Sequence, residues 1–270
     1  MNKIACTIGV LAYNNADNLL RALESVRDFA EIIVADGGST DGTQAIARRF
    51  GALVIEQSQQ GKPIADFAFE RNRLLEAATQ SWFFYLDADE LMSKELCDDI
   101  RRATEQSEYG AYRVRYLKTN GDVSKIYRTY REYYQIRLTR TDIGSKFERP
   151  VHERIVPPAG TKVWQIEGPW YVPLDNDDLS FRVFIPKAWK RTGGELAKWE
   201  PRGLVDIVHK TFVHPGNLAA KSLFKMLATP LKWGSKAIPL KYEFLRVLYA
   251  TMLALRAFQR LVGGSNNRVR

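Results

Sequence analysis

The sequence is poor in the features that would make several fold classes easy to recognise. Only two of its 270 residues are cysteine, Cys6 and Cys97, which excludes a disulfide scaffold. Both lie in apolar, periodic segments and read as buried thiols of a reducing compartment. No stretch supplies the ~18 uninterrupted apolar residues of a spanning helix; the longest candidate, near the end, is cut by Arg246 and Arg256. Met1 to Leu11 holds one lysine and a short apolar run before Asn14-Asn15, which is not a secretory signal pattern. There is no internal repeat and no low-complexity tract. At 45% hydrophobic and 26% charged residues, the composition excludes collagen and wholesale disorder.

Positive charge is also missing from most of the chain. The formal net charge is +9, but Thr211 to Arg270 alone holds ten basic residues and one acid, Glu243. The first 210 residues carry 30 bases and 30 acids. A neutral body offers no broad basic surface, so no nucleic acid partner is expected. The expected organisation is one domain over 1–210 and a basic helical extension over 211–270.

Ile4 to Leu11 reads as a buried strand. Asn14-Asn15 supplies a turn and helix cap, and Leu19, Leu23, Val26 and Ala30 follow at helical spacing. Strands are expected again at Ile32 to Val34, Ala52 to Ile55 and Trp82 to Leu86. Helices are expected at Thr43 to Phe50, Ile64 to Ala78 and after the Ser93 cap to Gln106. This alternation predicts an α/β fold with a mainly parallel sheet flanked by helices. Ligands of such sheets sit at the carboxyl ends of the strands, where this chain has Tyr13-Asn14, Asp36-Gly37-Gly38 and Asp87-Ala88-Asp89. Beyond Gly110, alternation at Ala111 to Leu117 and Gln135 to Thr139, with Asn120-Gly121 as a hairpin signal, predicts antiparallel additions.

Asp87 and Asp89, just past an apolar strand, can share one divalent cation. Their hard oxygens suit Mn²⁺ or Mg²⁺, which complete their shell with water and phosphate oxygens. Asp36 can accept a hydrogen bond from a base N–H, and Gly37-Gly38 permit close backbone approach. Asp41 and Thr43 read as caps of the following helix. The segment matches neither the phosphate-loop nor the G-x-G-x-x-G pattern, which removes nucleotide readings built on those loops.

Four motifs in order, Val10-Leu11-Ala12-Tyr13-Asn14, Ile32 to Thr43, Glu70-Arg71-Asn72 and Phe84 to Glu90, resemble those of the family 2 glycosyltransferases with a GT-A fold. Val151-His152-Glu153-Arg154 resembles the small subgroup typified by lipopolysaccharide core glucosyltransferases. The resemblance covers about residues 4–156. It implies that Ala12, Tyr13, Asn14, Gly38 and Ala88 hold the nucleotide, and that Asp36 reads the base, commonly uracil. Arg71 would lie near the nucleotide or its phosphates. Asp87 would face the ribose or the metal, and Asp89 would ligate the Mn²⁺ or Mg²⁺ bridging the diphosphate. Glu153 would be the base that deprotonates the acceptor, with His152 as a positioning residue and Glu90 as a substitute base. The implied activity is inverting transfer from a nucleotide sugar, commonly a UDP-sugar, to a hydroxyl of a glycan or glycolipid acceptor.

The resemblance weakens after Pro158. A histidine is expected beyond the next strand, yet Ile166 to Pro173 has none; His209 or His214 remains as a metal or phosphate ligand or as a structural residue. Trp164, Trp170, Trp189 and Trp199 suit sugar stacking or the core. Two other readings stay open. A sugar-phosphate nucleotidyltransferase is disfavoured by the missing Gly-rich pyrophosphate loop, and a non-catalytic nucleotide-sugar module by the intact Asp87 and Asp89. On a helix over Glu243 to Val262, Arg246, Arg256 and Arg260 form a basic stripe beside a broad apolar surface. That suits an anionic membrane surface, a second subunit in a homo-oligomer, or packing against the main domain. The expected location is cytoplasmic, peripheral on the cytoplasmic face of the membrane.

Overall fold

A computed structural model describes residues 2–62, 64–106, 108–150, 152–174, 179–196 and 199–265. In chain order the elements are β1 (Ile4–Ala12), α1 (Ala16–Ser25), β2 (Phe29–Asp36), α2 (Thr43–Arg49), β3 (Leu53–Glu56), α3 (Phe67–Ala77), β4 (Trp82–Asp87), β5 (Leu91–Met92), α4 (Lys94–Thr104) and β6 (Ala111–Asn120). They continue with β7 (Ile126–Tyr127), β8 (Tyr133–Arg140), β9 (Lys146–Glu148), β10 (Arg154–Val156), β11 (Val163–Leu174), α5 (Phe181–Leu196), α6 (Leu204–Val208), α7 (His214–Trp233) and α8 (Leu240–Ser265). The chain forms two compact units, residues 1–117 with 132–173 and residues 118–131 with 174–270. The division falls upstream of the boundary expected at 210.

The first unit is a mixed α/β sheet in the order β3-β2-β1-β4-β8-β6-β11-β5. The run β3-β2-β1-β4 is parallel, and β4 with β8 and β8 with β6 are antiparallel. β1 is buried on both faces, which is why its sequence is an unbroken apolar run rather than an alternating one. Ile8 and Val10 point into one core with Leu19, Leu23, Phe84, Leu96 and Ile100. Leu11, Ile33 and Phe83 point into the other with Leu74 and Phe147. Gly9 is required between them: a Cβ there would lie 2.6 Å from the Phe83 ring.

Two helix starts differ from expectation. α3 begins at Phe67 rather than Ile64, because the Asp66 carboxylate accepts from Phe69 N at 2.9 Å and caps it there. Asn15 stands at the N-cap of α1 but makes no side-chain cap; the loop after β2 does that work instead. Ser93 caps α4 as expected, accepting from Leu96 N.

In the second unit, a π-helical turn at His209–Val213 joins α6 to α7, and the end of β6 pairs with β7 around the Asn120-Gly121 turn. α8 packs with α5 and α7 around Leu196, Trp199, Leu253 and Ala257. Its arginine stripe does not face outward as a unit: the Arg256 guanidinium stacks 3.8 Å from the Trp189 ring of α5, and Arg246 pairs with buried Glu243 at 3.6 Å. The ring quadrupole attracts the guanidinium while the arginine stem covers apolar surface. Among the described residues, no helix is long and apolar enough to cross a membrane.

Candidate active site

The carboxyl ends of β1, β2 and β4 lie side by side, since Ala12 is in register with Asp36 and Leu11 with Asp87. Asp36 is 1% exposed. Its Oδ2 accepts from Gly38 N (2.9 Å), Ser39 N (2.9 Å) and Gln44 Nε2 (2.7 Å), and its Oδ1 from Ser39 Oγ (2.6 Å). The group expected to read a base is thus engaged by three donors of its own loop and one of α2, an arrangement made possible by Gly38 at φ +85°. Asn14, itself at φ +46°, accepts from Thr40 N at 2.8 Å and donates its own N–H to Ser39 Oγ at 2.9 Å. Asp41 accepts from Thr43 N (2.9 Å) and from Ala16 N (3.1 Å), so one carboxylate serves the starts of two helices. Tyr13 stands beside this lattice, 43% exposed.

Gln57, at the end of β3, was not singled out in the sequence. Its Nε2 donates to Ala12 O (3.2 Å) and Ala35 O (2.9 Å), which fixes the amide's orientation. Its Oε1 is buried and finds no partner among the described residues. A Cβ on Gly37 would lie 2.9 Å from that oxygen and 3.1 Å from Tyr13 Cδ2. Glycine at 37 therefore leaves room for an acceptor beside the tyrosine ring. A buried acceptor without a donor costs about 1–3 kcal/mol.

Glu70, Arg71 and Asn72 are consecutive on α3, so their side chains diverge by ~100° each, and each ties down a different segment. Buried Glu70 accepts from Ser58 N (2.8 Å) and Ser58 Oγ, holding the loop after β3. Asn72 exchanges two hydrogen bonds with Phe147 of β9, at 3.0 and 2.8 Å. Arg71, 1% exposed, pairs through Nη2 with Asp87 Oδ1 and through Nε with Glu153 Oε1 at 3.4 Å, and its Cζ lies 4.9 Å from the Tyr85 ring centroid. Its guanidinium is engaged by carboxylates at the strand end, beside the place near the nucleotide or its phosphates that was expected of it. One cation thereby brings Asp87 and Glu153, 66 positions apart in the chain, to a single point.

Around the Asp-Ala-Asp-Glu turn the acids occupy different environments. Burial opposes ionisation of Asp87, but Arg71 and then Arg137 outweigh it and hold the carboxyl below its usual range. Ala88 is buried and Asp89 exposed. Glu90, 4% exposed, is pushed up by burial, against the pull of Arg137. Arg137 of β8 grips Glu90 with both terminal nitrogens (2.9 and 3.2 Å) and lies 4.1 and 4.5 Å from the Tyr85 and Trp170 ring centroids. Trp170 Nε1 also donates to Glu90, at 3.1 Å. Glu90 is enclosed in this pair and underpins the turn by accepting from Asp87 N at 3.1 Å, which removes it as the substitute base. Arg137 carries no motif; its one sequence signal is a charge within an alternating strand.

His152 is exposed and at φ +57°, whereas the next residue, Glu153, turns inward with a side chain 15% exposed. His209 and His214 lie in the second unit, ring centroids 6.3 Å apart. Trp170 and Trp199 are buried, and Trp164 is 59% exposed and stacks on Tyr109 at 5.4 Å. No group of three or more His, Cys, Asp or Glu is assembled for a metal among the described residues.

Known proteins are similar to this chain. The lipopolysaccharide core biosynthesis glycosyltransferase LpsC of Rhizobium meliloti is 30% identical over 162 residues, 57% of this chain and 58% of that protein. The SPbeta prophage-derived glycosyltransferase SunS of Bacillus subtilis is 36% identical over 104 residues, 38% of this chain and 24% of that one. The match thus spans less than two thirds of either relative. Among solved structures, mannosyltransferase PcManGT from Pyrobaculum calidifontis, in complex with GDP-Man and Mn²⁺, superposes with a TM-score of 0.50 at 15% identity, over 97% of this chain and 88% of that one; the likeness is one of fold. The family model described as glycosyl transferase family 2 matches residues 7–160, more than half of the chain and the stretch from Ala12 to Glu153 described above, and the chain belongs to that family.

Proposed function

We propose that the protein transfers a sugar from a nucleotide sugar, with a UDP-sugar as the first donor to test, to a hydroxyl of a membrane-associated glycan or glycolipid acceptor, with inversion at the anomeric carbon. The observation that carries this reading is the Arg71 bridge, which sets Glu153 against the strand end that bears Asp87. Glu153 takes the acceptor proton as the acceptor oxygen bonds to the anomeric carbon; the bond to the diphosphate breaks, and the electron pair leaves with it. Arg71 holds the Glu153 carboxylate in place, and His152 flanks it as a positioning residue.

On the donor side, Tyr13 offers an exposed ring for stacking, and Ala12, Asn14, Gly38 and Ala88 form the surrounding wall. Gln57 Oε1 offers the acceptor for a base N–H, taking the part expected of Asp36, whose oxygens are committed to the loop. The donor set fits a divalent cation: Asp89 is exposed, Asp87 lies at the strand end beside it, and both supply the hard carboxylate oxygens that suit such an ion, with the diphosphate and water to complete its shell. Bound Mn²⁺ or Mg²⁺ would supply charge neutralisation to the leaving diphosphate, and the fold neighbour was solved with a nucleotide sugar and Mn²⁺. Similarity to LpsC supports a lipopolysaccharide-core type of acceptor, and we place the reaction on the cytoplasmic face of the membrane.

The test is incubation with Mn²⁺ or Mg²⁺ and a panel of nucleotide sugars, reading release of nucleoside diphosphate. Asp89→Ala is expected to lower that release at least tenfold while leaving the melting temperature near wild type. Full activity in this variant removes the metal role of Asp89, and release of pyrophosphate from a nucleoside triphosphate instead removes the transferase reading.

A further inference from the structure

The second unit carries most of the exposed apolar surface. Seventeen of the 21 large apolar side chains exposed among the described residues belong to it. On α7, Leu223, Phe224, Leu227 and Leu231 fall within an arc of about 100° and are 52%, 53%, 74% and 88% exposed. The opposite side of the same helix buries Ser222 and Thr229, each 1% exposed, and their hydroxyls have no hydrogen-bond partner among the described residues. The pattern continues upstream, where Val205 and Phe212 are 84% and 63% exposed and Thr211 is buried. A water-facing helix is built the other way round. An apolar face of this extent marks an interaction surface.

Charge selects the occupant. The second unit holds 21 basic and 8 acidic residues, a formal +13; the first holds 19 and 23, a formal −4. Exposed Lys221 and Lys232 lie along one edge of the apolar arc of α7, beyond Phe224, and Lys210 lies on the turn before it. A second copy seated on this face would bring two +13 units together, a repulsive arrangement. No helix among the described residues is long and apolar enough to span.

We propose that the outward face of residues 204–231, centred on Leu227 and Leu231, is a peripheral binding surface for an anionic lipid bilayer. The apolar side chains enter the headgroup boundary and the adjacent lysines meet the headgroup charges. This deepens the membrane-associated reading by naming the surface, and it moves that surface from the arginine stripe of α8 to α6 and α7.

The experiment is flotation of the full chain, without donor or acceptor, with phosphatidylglycerol–phosphatidylethanolamine vesicles and with phosphatidylcholine vesicles. Binding is expected to the anionic vesicles and at least tenfold weaker to the neutral ones. Leu227→Glu with Leu231→Glu, both highly exposed and thus tolerant of substitution, is expected to lower anionic binding at least tenfold. Leu53→Glu, an exposed leucine of the first unit, is expected to leave it unchanged. Absence of wild-type binding, or equal binding by the double variant, overturns the proposal. A wild-type dimer in sedimentation velocity that the double variant dissociates, with vesicles unbound, overturns it in favour of a second copy. Nucleoside diphosphate release in solution is measured in parallel, so failure of the transferase reading and failure of the surface are read separately.

Discussion

Arg71 and Arg137 are both enclosed, both lie against the Tyr85 ring, and each is assigned to a different acid of the same four-residue turn. Asp87 and Glu90, three positions apart, shift in opposite directions: at Asp87 the two arginines outweigh burial, whereas at Glu90 burial, helped by the Asp87 charge, outweighs Arg137. Asp87 ionises more readily in the folded chain than in the unfolded one, so the stability it contributes is fully present above the unfolded value of about 3.9. It is lost as pH falls through the lower folded value. The difference in unfolding free energy between wild type and Asp87→Asn is therefore expected to be largest near neutrality and to close below about pH 4, which denaturant titrations across that range would read. Glu153→Gln keeps the shape beside Arg71 but removes the proton acceptor. Its kcat is expected to fall by ~10²–10⁴-fold with a nearly unchanged KM for the donor; an unchanged kcat assigns the base elsewhere.

α3 is the element on which the site is assembled. Three successive residues on one helix hold the loop after β3, the turn after β4 and the hairpin of β9 and β10, which leads directly from Glu153. Asn72 reaches no part of the reaction, yet Asn72→Ala removes both hydrogen bonds to Phe147. It is expected to cost about 1–3 kcal/mol and to lower kcat together with the melting temperature, as measured by calorimetry and steady-state rates. The parallel strands were legible because burial on two faces demands continuous apolar runs, which β1 and β4 show. The Glu-Arg-Asn motif was legible as a motif, but its use was not: helical spacing separates the three side chains without saying what each meets. Asp36 teaches the same lesson, because a carboxylate after a strand serves a ligand or its own loop equally well until Ser39 and Gln44 are placed around it.

At the scale of the whole molecule, the charge divides more sharply by compact unit than by position along the chain, −4 against +13. If the basic unit docks on anionic surfaces through both charge and apolar burial, salt separates the two contributions. Raising ionic strength to about 1 M shortens the Debye length to ~3 Å and is expected to weaken vesicle binding strongly without abolishing it. Loss of all binding at that ionic strength would show that the exposed leucines contribute nothing.

The sequence by itself determined the alternation of the four parallel strands with helices through residue 104, all but the short β5, the placement of the motifs at the strand ends, and the family. Each rests on local periodicity or on short ordered motifs, which need no partner to be read. The tertiary structure alone decided that Arg71 joins Asp87 to Glu153, that Arg137 pairs with buried Glu90 and that Gln57 fills the space left by Gly37. It also decided which side of α7 and α8 faces out. A helical repeat defines two faces but not their direction; here Trp189 draws an arginine inward while buried hydroxyls of α7 leave the leucines outside, a choice made by packing between segments far apart in the chain.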